Sequence, residues 1–123
     1  MSKRHKRALP FDKRGGIVAL RRQMIESDAY HGLSLYARNL MLYLQLHWTN
    51  DRPVAYGIRE ASTKLRCNQR TAMKTFNELE AAGFILLDTP GQFNSRTGSR
   101  ARTWVLTWLP YRDRPPTNNW EGI

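Results

Sequence analysis

Apolar positions along this chain recur first at helical spacing and then at strand spacing, and the change falls at Gly83. In residues 17–27, Ile17, Leu20 and Met24, with Val18 and Ile25 more loosely, predict a short leading helix. Residues 33–48 carry the strongest period. Ala37, Leu40, Met41, Leu44 and Trp48 follow one another along a single face behind Ser34, a candidate N-cap. That stripe reads as core, and His47 near its end reads as a partner for the helix C-terminus rather than a catalyst.

Asn50, Asp51 and Pro53 then break the pattern, with Val54 to Tyr56 as one short strand. Ile58, Ala61, Ser62 and Leu65 fall on one face of a short helix that has Gly57 at its cap and Glu60 in its first turn. After a tight turn a longer helix is expected, opened by Asn68 and stopped by Gly83. On that helix Ala72, Phe76 and Leu79, with Gly83, lie within roughly 60° of one another as a buried stripe. Arg70, Lys74, Asn77 and Ala81 lie opposite.

Beyond Gly83, "FILLD" is a short apolar run and "RTWVLTW" alternates, with Trp104, Leu106 and Trp108 on one face and Val105, Thr107 and Leu109 on the other. The two predict a β-hairpin. Its long tip, "TPGQFNSRTGSRA", is rich in turn residues and carries Arg96 and Arg100, with Arg102 directly after it. A Pro-rich tail follows over 111–123, with Trp120 as a candidate anchor.

Charge changes this picture. The chain has 20 Lys and Arg against 10 Asp and Glu, a net charge of +10 in 123 residues. Such an imbalance in a chain of single-domain size points to a polyanionic partner. The arm of residues 1–15 concentrates it in Lys3, Arg4, Lys6 and Arg7, ahead of Gly15-Gly16. An arm of this kind suits phosphate contacts, the alternative being a solubilising tail. The domain is then expected over 16–110.

Catalysis finds no constellation. His5, His31 and His47 are widely separated, and the one cysteine, Cys67, has neither a second thiol nor a histidine at a motif distance. No metal site, cofactor or enzymatic activity is expected. The "DTPG" of residues 88–91 lacks a companion phosphate loop, so Asp88 and Gly91 read as turn residues. With no apolar run of membrane-spanning length and no signal core, a cytoplasmic, nucleoid-associated protein with no membrane partner is expected.

The order of these elements is helix, short strand, short helix, turn, longer helix and hairpin. The segments "LSLYARNLMLYL", "IREASTKLRCNQRTAMKTFNELEAAGFI" and "ARTWVLTWLP" resemble small winged-helix proteins of bacterial prophages, plasmids and other mobile elements. Residues 67–85 are also similar to the second half of the helix-turn-helix in gluconate-repressor-type regulators. The resemblance implies an α+β fold, a winged helix-turn-helix of three or four helices with a hairpin wing. It also implies that Gln69, Arg70, Thr71, Met73 and Lys74 face double-stranded DNA, and Arg59 of the preceding helix joins that candidate set. Gln, Arg and Thr in a first helical turn suit base edges and phosphates in a major groove. Arg66 and Cys67 depart from the usual Gly and Val of the family's turn. No effector domain follows residue 123, so ligand-controlled regulation is not expected.

A sequence-specific transcriptional regulator is the first functional expectation, with origin binding, replication initiation or a recombination accessory role sharing the same physics. RNA or ribosome binding is the alternative from another class, and would rest on Phe93, Tyr111 and Trp120 stacking with bases. A homodimer would give two half-sites, with the leading helix or the tail as the place for its contact.

Overall fold

The computed structural model describes residues 14–90, 92–94 and 98–122, with the backbone alone at 92–94 and 98–100. The fold is α+β. Helices α1 (Arg22–Ile25), α2 (Asp28–His31) and α3 (Leu35–Leu46) lead into a two-residue strand β1 (Val54–Ala55). Helices α4 (Ile58–Leu65) and α5 (Gln69–Ala81) follow, then strands β2 (Ile85–Thr89), β3 (Gln92–Asn94), β4 (Gly98–Arg100) and β5 (Thr103–Leu106). A 3₁₀ turn over Asn119–Gly122 lies near the end.

Local chemistry sets the helix limits. Ser34 accepts the Ala37 N–H and Asn68 accepts the Thr71 N–H, so both long helices open on side-chain caps. At the other end of α5 the chain closes a Schellman turn, with the Phe84 N–H donating to the Leu79 carbonyl at 3.0 Å and the Gly83 N–H to that of Glu80 at 3.1 Å. Gly83 sits there at φ +85°, and a Cβ on it would lie 2.8 Å from the Asn119 carbonyl carbon and oxygen. Conformation and space both require glycine at this position.

The leading helix expected over 17–27 does not form as one element. Residues 16–21 carry no helix, Ile17 and Val18 are exposed, and two single-turn helices, α1 and α2, take the place of the longer one. Three weakly spaced apolar residues beside a double glycine do not offset the cost of helix nucleation. The segment is held through its backbone instead: Gln45 Nε2 donates to the Ala19 carbonyl at 2.9 Å. Met24 still reaches the core.

The sheet is antiparallel in the order β1-β5-β2. Val54 pairs with Trp104, and Ile85 with Leu106, so the short strand ahead of α4 becomes an edge of the same sheet as the hairpin. The hairpin tip forms its own ladder, β3 with β4, pairing Phe93 with Ser99. Two expectations need correction. Asp88 is not a turn residue but lies within β2, where its carboxylate accepts the Thr103 hydroxyl at 3.1 Å; Gly91 lies outside the described residues. The alternation of residues 103–109 stops at Leu106, so Thr107 is buried, its hydroxyl donating to the Gly83 carbonyl at 2.7 Å.

The core lies between the helices and the sheet. Ala37, Leu40, Met41 and Leu44 of α3 meet Ala72, Phe76 and Leu79 of α5, with Phe76 stacked 5.1 Å from the Trp104 ring. Trp120 returns to this core and stacks on Phe84 at 5.9 Å. Trp108 Nε1 donates to Gln45 Oε1 and Trp48 Nε1 to the Pro110 carbonyl, which ties the end of α3 to the segment after β5.

Candidate nucleic-acid interface

The site is built outward from the buried stripe of α5. Ala72, Thr75, Phe76 and Leu79 point into the core, and Thr75 closes its hydroxyl onto the Thr71 carbonyl at 2.8 Å. At about 100° per residue, that burial turns the other side of the helix to solvent. Gln69, Arg70, Met73, Lys74 and Asn77 are exposed there, and Thr71 is half-buried at the edge. Met73 is the apolar member, 42% exposed. The Phe76–Trp104 stack and the Glu78–Ser34 contact anchor α5 to the sheet and to α3, so the exposed side is presented by a fixed element.

The preceding turn completes this surface. Helix α4 ends at Arg66, which adopts a left-handed conformation at φ 58°. Cys67 N–H then donates to the Ser62 carbonyl at 3.0 Å, and Asn68 opens α5. The turn therefore closes with Arg66 accepting the conformation glycine would take more cheaply. The Arg66 side chain is exposed just ahead of the α5 N-terminus. Sequence reasoning left Arg66 out of the candidate face; a basic residue immediately before an N-cap and its helix was the available signal. Asn77 is a second omission, although the period already puts it on the face opposite the buried stripe.

From Ala61 to Asn77 the chain carries four cations, Lys64, Arg66, Arg70 and Lys74, all exposed, and no acid. The acids of α5, Glu78 and Glu80, fall in its C-terminal part, and Glu78 is engaged with Ser34. The N-terminal end of α5 adds the positive end of a helix dipole. Such a surface can pair with phosphates and offer Gln, Arg and Asn groups to base edges.

Three of the other candidates fall among the described residues. Arg59 is exposed in the first turn of α4, beside Glu60. Arg102 is half-buried just ahead of β5, and its carbonyl accepts the Tyr56 N–H at 3.0 Å. Arg100 is described through its backbone in β4. Lys3, Arg4, Lys6, Arg7 and Arg96 lie outside the described residues. Among the described residues there is no group of three or more His, Cys, Asp and Glu side chains that could hold a metal ion. Nor is any described helix long and apolar enough to cross a membrane.

Compared with protein families, curated proteins and solved structures, the chain finds no match in any of the three.

Proposed function

We propose that this chain is a winged helix-turn-helix protein that binds double-stranded DNA. In this reading α4 and α5 form the helix-turn-helix and α5 enters the major groove. The β2–β5 hairpin is the wing, and the wing tip and the arm of residues 1–15 lie along the backbone. The observation that carries it is the acid-free run of exposed cations from Lys64 to Lys74 across the turn and the outer face of α5. A net charge of +10 supports the same partner class. A sequence-specific regulator of a phage or plasmid-like element is the role proposed first, because Gln69, Arg70 and Asn77 offer base-reading groups and not charge alone. Replication-origin binding and recombination accessory roles share this interface.

The RNA alternative needs aromatic rings open to bases. Trp120 is only 6% exposed and stacked on Phe84, and Tyr111 is half-buried with the Arg112 guanidinium 5.0 Å from its ring. These two placements favour the duplex reading; the Phe93 side chain lies outside the described set. Fluorescence-anisotropy titrations of duplex DNA, single-stranded DNA and hairpin RNA of equal charge would test it. Tightest binding to the duplex is expected, and tightest binding to RNA would overturn the proposal.

A further inference from the structure

The outer side of α3 is unlike the rest of this basic surface. Its core face holds Ala37, Leu40, Met41 and Leu44; on the opposite side Leu35, Asn39, Leu42 and Leu46 align within roughly 60°. Leu35 is 75% exposed, Leu46 61% and Leu42 37%. Their spacing of four, three and four residues is that of a helix-pairing seam, with one polar position. The only charged residue of α3, Arg38, is half-buried, donates to the His31 carbonyl at 2.9 Å and lies over the Tyr30 ring. Beside Leu46, at the C-terminal end of the stripe, opens a groove of about 490 Å³ whose walls include Ile17, Val18, Trp48 and Leu109. Ile17 is 56% exposed along it.

We propose that this face pairs with a second copy of the same chain, with the two α3 helices antiparallel, so that Leu35 of each copy enters the groove beside Leu46 of the other. Three features select that occupant. The surface is self-complementary, a protruding leucine at one end of one helix and a groove at the other, as a two-fold interface requires. The outer stripe of α3 and the groove walls themselves carry no charged side chain, so pairing there desolvates no charged group of either. Finally, α3 alone, about 18 Å long, is too small a strip for the roughly 800 Å² per partner of a stable interface. The adjoining groove and Ile17 extend the patch toward that size.

Pairing through α3 leaves the α5 faces uncovered and directed away from the seam, because each helix turns its core stripe toward the same interior. If the DNA reading holds, the dimer would hold two duplex segments on opposite sides rather than two adjacent half-sites. The pairing itself does not depend on that reading.

Sedimentation velocity on the full chain without DNA, from low micromolar to about 100 μM, tests it directly. The expected result is a concentration-dependent shift from the 14.4 kDa chain mass to twice that mass. Leu35→Glu and Leu46→Lys, both at exposed positions, should each weaken association at least tenfold by burying an unpaired charge. Mixing the two variants should restore a dimer, since one Glu–Lys contact and one Leu–Leu contact then form. A native chain that stays monomeric throughout overturns the proposal. So does a dimer that both variants leave intact, or a mixture that fails to recover association. Circular dichroism of each variant separates loss of pairing from loss of fold.

Discussion

The Glu78 carboxylate of α5 accepts hydrogen bonds from both the amide and the hydroxyl of Ser34, each at 2.7 Å, across 44 residues of chain. Ser34 in turn caps α3 by accepting the Ala37 N–H at 3.1 Å. A helix that presents the candidate DNA face is thereby fastened to the first turn of the helix behind it. This is a capping box whose acid comes from another element.

Removing that acid should loosen the junction. Glu78→Ala is expected to lower stability by about 1–2 kcal/mol, the range for losing a cap with charged hydrogen bonds. Urea unfolding of Glu78→Ala, Ser34→Ala and the double variant would measure it. The double variant should cost clearly less than the two singles together, because both remove the same contact. Additive losses would show that the two residues act separately.

Gly83 is the position least open to substitution. Gly83→Ala must adopt φ +85° with a side chain and place its Cβ against the Asn119 backbone. A loss of about 2 kcal/mol or more is expected from left-handed strain and displacement of the Trp120 turn together. Thermal unfolding would record it, and a loss below about 0.5 kcal/mol would contradict the packing described.

Much of this arrangement was readable residue by residue. The buried and exposed sides of α5 followed from its period, and Ser34, Asn68 and Gly83 each sit where their own backbone chemistry places them. What was not readable depends on distant partners. Nothing local to Trp120 specifies a stack on Phe84, and nothing in "VAY" specifies that β1 pairs with β5 or that Tyr56 is wholly buried. Ile17 and Val18 show the reverse error: they are apolar and at helical spacing, but no described element covers them. The cations of the turn and α5 could be counted in the sequence; that all four are exposed required the fold.

Tyr56 carries a pH dependence. Its hydroxyl is buried with no hydrogen-bond partner among the described residues, and burial, with Glu60 and Tyr43 nearby, pushes its pKa from 10.0 up to about 12. A folded-state value above the unfolded one means its contribution is intact below pH 10 and is lost as pH rises toward 12. Stability measured between neutral pH and pH 12 should therefore fall above pH 10. In Tyr56→Phe that part of the fall should disappear, with stability at neutral pH unchanged or raised, because an orphan hydroxyl is removed. A marked loss at neutral pH would reveal a hydroxyl partner instead.

Arg70→Ala and Lys74→Ala should each weaken DNA binding, by about 1–3 kcal/mol on a preferred sequence where the side chain reads a base. Equal loss on all sequences would reassign that side chain to phosphates. Deleting residues 1–14 should reduce the salt dependence of binding, by about 0.9 in slope for each phosphate that the arm neutralises. An unchanged slope would leave the arm without a role in binding.

The role proposed for the outer side of α5 is to read duplex sequence. Selection from randomised duplex DNA at about 0.15 M salt, followed by sequencing of the retained pool, tests this most directly. The expected result is one enriched motif that Arg70→Ala abolishes or changes at a defined base position. Retention without enrichment, or the same motif from the native chain and an Arg70→Ala, Lys74→Ala double variant, would contradict it.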